Sequence, residues 1–210
     1  MAREVAYDAS QHIAADGIAD PYLRPAFSRK NRLVRLLWQL VWLTLYRTSP
    51  RPLHAWRVAL LRSFGATMGP HCHFYPGSRI WAPWNLRCAD QVTAADGVEI
   101  YNPAPMHFGS HSILSQGAYL CGATHDYNSA AFPLLAYEMR FGAYCWICAR
   151  ASVGPGVQVG VGAVLGLGSV ATRSLEPWTV YAGNPAVALR ARVNTSGIPV
   201  METVLEDSLT

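Results

Sequence analysis

The sequence predicts an all-β chain wound as a parallel β-helix, with a helical arm before it and a short helix after it. Two periodicities and one compositional fact carry that expectation. Every sixth residue from Phe141 (Ile147, Val153, Val159, Leu165) is a bulky hydrophobe, and Gly142, Gly154, Gly160 and Gly166 follow four of the five. Every sixth residue from Cys145 (Ala151, Val157, Ala163, Ser169) is small or β-branched. An α-helix cannot keep a glycine corner at a period of six, and hairpin sheets turn at longer, less regular spacings, so these hexads predict stacked coils. The 210 residues are 51% hydrophobic but only 14% charged, against roughly a quarter in an average soluble domain. That predicts buried interfaces, in an oligomer or on a membrane.

Residues 1–63 are expected to form an arm and helices. Residues 1–30 are polar and punctuated by Pro21 and Pro25, which suits an extended arm. Leu33 to Tyr46 reads as a helix on which Arg32, Arg35 and Gln39 make one narrow polar stripe. The run is shorter than the roughly 20 residues a bilayer span needs. Two readings stay open: packing on the same or a neighbouring subunit, or peripheral membrane contact through residues 30–47. Ser49 to Pro52 stops this helix, and Leu53 to Phe64 is a second one ending at Gly65. The β-helix is expected over 64–185. Phe108, Leu114 and Leu120 keep its phase, while Leu86/Cys88, Val92/Ala94, Val98/Ile100 and Ala104/Met106 form a degraded register. Leu120 and Phe141 are 21 residues apart, not a multiple of six. A loop over 121–140 is therefore extruded, and rigid scaffolds place chemistry on such loops. A helix from Ala186 to Val193 and a frayed tail beyond Asn194 are expected within 186–210.

Charge is unevenly spread. Residues 1–63 hold ten Lys and Arg against four Asp and Glu, residues 64–210 hold seven against nine, and no acid lies between Pro21 and Ala89. The net +4 is too weak to argue for nucleic acid, and the local excess suits an anionic membrane surface or a phosphorylated ligand. Five cysteines, an odd number, and a polar Met1 to Asp20 segment point to the reducing cytoplasm, and the membrane-contact reading of residues 30–47 would put the chain at the inner face of the cytoplasmic membrane.

Four segments carry a resemblance: Arg79 to Asn85 (RIWAPWN), Ser115 to Cys121 (SQGAYLC), Thr124 to Tyr127 (THDY) and Pro177 to Ala186 (PWTVYAGNPA). Over roughly residues 56–193 the chain resembles the left-handed β-helix acyltransferases built from hexapeptide repeats, and within them the colanic acid type of exopolysaccharide O-acetyltransferase. The resemblance implies left-handed coils, a homotrimer with sites between subunits, acetyl-CoA along the coils, a saccharide or glycolipid acceptor and no required metal. It makes His125 the general base. Moving an acetyl group from a thioester to a hydroxyl requires removal of the hydroxyl proton as attack begins, and an imidazole suits that task. Asp126 is a candidate to orient a ring or bind sugar, Tyr127 to line the acceptor pocket, and Asn102 to touch the acceptor or the oxyanion. By position, Trp146 marks the pantetheine end, and the backbones of Ala149 and Leu167 hold the pantetheine amides. Thr172 and Arg173 lie near the nucleotide, and Arg173, like Arg190, is a candidate phosphate contact.

Departures from the family pattern are Cys148, which stands where a corner glycine is usual, and Arg150, which replaces a small or amide residue. Cys145 and Cys148 spell CxxC, but one falls on an inward position and the other on a corner, which argues against redox or zinc chemistry. Gly166 to Ala171 fits a dinucleotide pattern, yet it is one link of the hexad with no helix after it. Two alternatives remain: a zinc-dependent, carbonic-anhydrase-like enzyme using His107, His111 and His125, and a non-catalytic β-helix scaffold. The histidine spacings of four and fourteen do not resemble a three-ligand zinc set, and the His-Asp-Tyr loop argues against a silent scaffold.

Overall fold

Inward residues that alternate large and small let the chain turn every few residues. In the computed structural model, which describes residues 26–129 and 131–194, each of the first four coils adds one short strand to each of three parallel-stacked sheets. The first coil is β1 (Thr67–Met68), β2 (His73–Phe74) and β3 (Arg79–Ile80); the second is β4 (Leu86–Cys88), β5 (Thr93–Ala94) and β6 (Glu99–Tyr101). The third is β7 (Met106–Phe108), β8 (Ile113–Leu114) and β9 (Tyr119–Cys121). An antiparallel excursion, β10 (Ala123–His125) and β11 (Leu134–Ala136), precedes the fourth coil of β12 (Met139–Phe141), β13 (Trp146–Ile147) and β14 (Ser152–Val153). Then come β15 (Val164–Leu165), β16 (Val170–Ala171) and a closing pair, β17 (Thr179–Gly183) and β18 (Ala186–Ala191). The expected tail beyond Asn194 and most of the expected arm, residues 1–25, lie outside the described residues.

The hexad positions are the core: Phe108, Leu114, Leu120, Phe141, Ile147, Val153 and Leu165 are all fully buried, and Phe108 stacks on Phe141 at 4.6 Å. The corner glycines answer a packing demand. A Cβ on Gly142 would lie 2.4 Å from the Val161 nitrogen, and one on Gly109 2.4 Å from the Ala143 nitrogen, so the coils stack there at a distance only glycine allows. Cys148 is tolerated because its corner is roomier: a Cβ on Gly166, one coil on, would sit 3.1 Å from its nearest neighbour. The degraded register also has a geometric cause. Residue 67 pairs with 87 and 87 with 107, an interval of 20, whereas 146 pairs with 164, an interval of 18. The two extra residues per early coil sit at the corner between the third and first sheets, where Pro83–Asn85 forms a 3-10 turn.

The helices close the first coil, whose strands would otherwise present unpaired edges. Ser28 caps α1 (Arg29–Val41) by accepting from the Asn31 N–H at 3.2 Å, and a π-helical turn continues it over Trp42–Tyr46. The Trp38 and Trp42 indoles donate to the Ile80 and Ser78 carbonyls at 2.7 and 2.9 Å, and the Tyr46 hydroxyl meets Ser78 Oγ at 2.7 Å. The aromatic stripe therefore packs on the chain's own β-helix. Arg35, on the polar stripe with Arg32 and Gln39, is half-buried with its guanidinium 4.4 Å from the Trp81 ring centroid. In α2 (His54–Ser63), the fully buried Arg57 donates to the carbonyls of Phe74, Pro50 and Arg51, pinning the interhelical turn to the first coil.

At the other end the expected helix over Ala186 to Val193 is not formed. Ala186–Ala191 is a strand, antiparallel to β17, and Arg192 then donates its N–H to the Trp178 carbonyl. The segment is mostly exposed and has no apolar helical face to bury. Covering the open edge of β17 outweighs the helix propensity of Ala, Leu and Arg.

Candidate active site

The excursion leaves the β-helix after β9, in the third sheet, and returns at β12, in the first. It projects from the corner between them. Its base is an apolar patch in which Ala104, Ala123 and Ala136 pack with Tyr101 and Leu134. His125 ends β10, opposite Leu134, and is half-buried. Its ring stacks on Phe132 at 4.5 Å with an 11° interplanar angle, and Nδ1 lies 2.9 Å from the Phe132 carbonyl oxygen. A carbonyl only accepts, so Nδ1 carries the proton and donates it. That leaves Nε2 with its lone pair, able to take a proton from a hydroxyl.

The neighbouring candidates divide into two groups. Asp126 Oδ1 accepts from the Asn128 N–H at 3.0 Å and its own N–H donates to the Pro133 carbonyl, so it shapes the loop turn. Tyr127 stands at the tip, 79% exposed. Asn102 corrects the expectation of an acceptor contact. It is fully buried, with Oδ1 accepting from the Ala82 N–H at 2.9 Å and Nδ2 donating to the Ala82 carbonyl at 2.8 Å. Both ends of its amide serve the long early coils, and no surface remains for a substrate.

Trp146 points outward from the second sheet, its indole N–H donating to Ser115 Oγ at 2.8 Å. Ala149 and Leu167 occupy successive turns between the second and third sheets, and the Gly168 N–H donates to the Ala149 carbonyl at 3.0 Å. These three residues lie along the corner between the second and third sheets. Thr172 and Arg173, both exposed, follow β16 at the opposite edge, on the corner that carries the His125 loop. Arg190 is exposed on β18. A single chain thus brings His125 onto the same corner as Thr172 and Arg173 and holds it a full sheet width from Trp146, Ala149 and Leu167.

Phe132 escaped sequence reasoning because it acts through a ring stack and a backbone carbonyl, and neither has a motif. The other histidines are engaged elsewhere: His107 Nε2 is 3.3 Å from Glu138 Oε1, and the His111 ring stacks on Tyr144 at 4.6 Å. Burial and the Arg140 guanidinium lower the His107 pKa. Among the described residues no three His, Cys, Asp or Glu side chains group to hold an ion, so the three imidazoles of the zinc alternative do not converge. All five cysteines are free, and burial pushes the inward Cys145 thiol up to about 11.

Comparison with known proteins decides the family. The chain is 38% identical over 169 residues to WcaF of Escherichia coli K12, a candidate colanic acid biosynthesis acetyltransferase, covering 80% of this chain and 93% of that one. The chain belongs to the hexapeptide-repeat acetyltransferases. No protein-family model matches it. A hexapeptide-repeat acetyltransferase from Vibrio cholerae, solved with acetyl-CoA, superposes with a TM-score of 0.71 at 22% identity, over 81% of this chain and 93% of the other. A maltose O-acetyltransferase from Clostridium difficile 630 gives 0.72 at 18% identity, over 80% and 90%. The acetyltransferase is accordingly a left-handed parallel β-helix and an enzyme, not a silent scaffold.

Proposed function

We propose that this acetyltransferase moves an acetyl group from acetyl-CoA to a saccharide hydroxyl in surface or exopolysaccharide biosynthesis, by direct transfer with His125 as general base. The observation that carries the reading is the Nδ1–H to Phe132 carbonyl bond, which fixes the ring and frees Nε2. As the hydroxyl oxygen attacks the thioester carbonyl, its proton passes to Nε2. The C–O bond forms, the C–S bond breaks, and the proton returns to the departing thiolate, so no covalent enzyme intermediate is needed. The colanic acid role of the relative and the maltose named for the structural neighbour support a sugar acceptor, and the neighbour bound to acetyl-CoA supports the donor.

The enzyme works as a homotrimer. The third sheet separates His125 from the corner that carries Trp146, Ala149 and Leu167, which supports a site completed by the loop of one subunit and the coils of the next. There the small or apolar side chains of Ala149 and Leu167 leave backbone groups open to pantetheine amides, and Arg173 meets a phosphate. Tyr127 and Asp126 face the acceptor. The protein acts at the cytoplasmic face of the membrane on a lipid-linked or nucleotide-linked precursor. Thiol release from acetyl-CoA, measured against a panel of glycosides and lipid-linked oligosaccharides, tests the reading: release with at least one saccharide is expected, and silence across the panel would overturn the acceptor class.

A further inference from the structure

One side of α1 has no partner among the described residues. Leu33, Leu36, Leu37 and Leu40 recur at helical spacing and are 54–68% exposed. The surface continues through Leu45, in the π-helical turn, to Trp56, both exposed and joined by a bond from the Trp56 indole to the Leu45 carbonyl at 3.1 Å. A solvent-facing helix normally carries charge here, so a contiguous leucine face marks an interaction site.

The charges around this face select its occupant. Arg29, Lys30 and Arg32 are exposed at the start of the helix and Arg47 just beyond its end, and no acidic residue occurs anywhere from 21 to 89. A second copy docked face to face on this helix would bring these cations together with no acid from residues 21–89 between them, and the sedimentation coefficient of the leucine variant separates a three-fold neighbour from lipid. Anionic lipid headgroups complement them. Thirteen residues span about 20 Å, and no helix of the described chain is long and apolar enough to cross a membrane, so contact is in the plane. We propose that the leucine face of α1 docks on an anionic lipid bilayer, its leucines in the acyl boundary and Arg29, Lys30, Arg32 and Arg47 at the headgroup phosphates.

The rest of the helix is built to hold that pose. Trp38 and Trp42 tie its opposite face to the backbone of the first coil, so the leucines can enter lipid without loss of the fold. Arg35 lies over Trp81, Trp81 meets Tyr101 edge-on at 5.4 Å, and Tyr101 packs on the base of the His125 loop. A short chain of contacts therefore runs from the docking helix to the loop, which would present a lipid-linked acceptor to His125. That consequence, though not the docking itself, rests on the acetyl-transfer reading.

The test is co-sedimentation of the full chain with phosphatidylglycerol-containing vesicles and with pure phosphatidylcholine vesicles, with neither acetyl-CoA nor acceptor present. Binding to the anionic vesicles is expected, weakened by high salt. The double variant Leu37→Glu, Leu40→Glu should lower the bound fraction by about tenfold or more, with unchanged melting temperature and unchanged transfer to a soluble glycoside. The triple variant Arg29→Gln, Lys30→Gln, Arg32→Gln, at three exposed positions, should also bind less and lose the salt dependence. No pelleting with either vesicle, equal pelleting with both, or a leucine variant that changes the sedimentation coefficient in place of vesicle binding would overturn the proposal, the last by pointing to a second copy. A chain inactive on every acceptor that still binds anionic vesicles would overturn the acceptor reading alone.

Discussion

His125 is held by a backbone carbonyl and an aromatic face, so its orientation does not depend on a carboxylate partner. Asp126, next to it in sequence, turns its carboxylate to the Asn128 N–H. If His125 is the base, His125→Ala should lower kcat by about 10² or more, because proton removal in the transition state is what it contributes. Acetyl-CoA affinity and melting temperature should hardly change, since the residue is half-buried on a loop and the inward hexad positions are untouched. A variant that keeps more than about a tenth of the wild-type kcat would end the assignment. Asn102 illustrates the opposite outcome at this scale. A turn asparagine and a substrate-binding one look alike in sequence, and only its two bonds to Ala82 and its full burial separate them.

At the scale of elements, the coils are spaced by backbone contact. Gly142 lies under the Val161 nitrogen, where an added Cβ has 2.4 Å. Gly142→Ala should therefore destabilise the protein by about 1–3 kcal/mol, the usual cost of overpacking, because backbone and not a movable side chain stands in the way. Gly166→Ala, with 3.1 Å available, should cost less, and thermal or denaturant melts of the two variants check the order. Equal stabilities would mean that the coils can part at no cost. The helical arm shows a different balance: α1 has two apolar sides, and the tryptophans rather than the leucines face the coil because an indole can bury its ring and still donate to a strand-edge carbonyl.

For the whole molecule, the proposed reading places the two halves of the site on different subunits, so activity is expected to require assembly. Sedimentation should give a particle of three 23.0 kDa chains. A sharper check mixes two inactive chains: His125→Ala, and Ala149→Trp, which fills the turn on the opposite edge of the third sheet. Hybrids reassembled from the two should recover activity, since some interfaces then pair an intact loop with an intact edge. If every catalytic group came from one chain, no mixture could recover it.

The period of six determined the coils from the sequence alone, since each hexad reports its own inward pair and corner; the lapse between Leu120 and Phe141 likewise located the loop, and the segment Thr124 to Tyr127 its histidine. What the tertiary structure decided is what depends on distant backbone. The 20-residue coils blurred the early register because their extra residues sit at a corner held by Asn102. Ala186–Ala191 became a strand because β17 offered an open edge. Arg35 came to lie over a ring because the fold brings Trp81, far along the chain, beside α1. The Phe132 carbonyl came to hold His125 because β11 folds back on β10. Such contacts run from side chains to main chain or across long separations, so no local pattern of residue types records them.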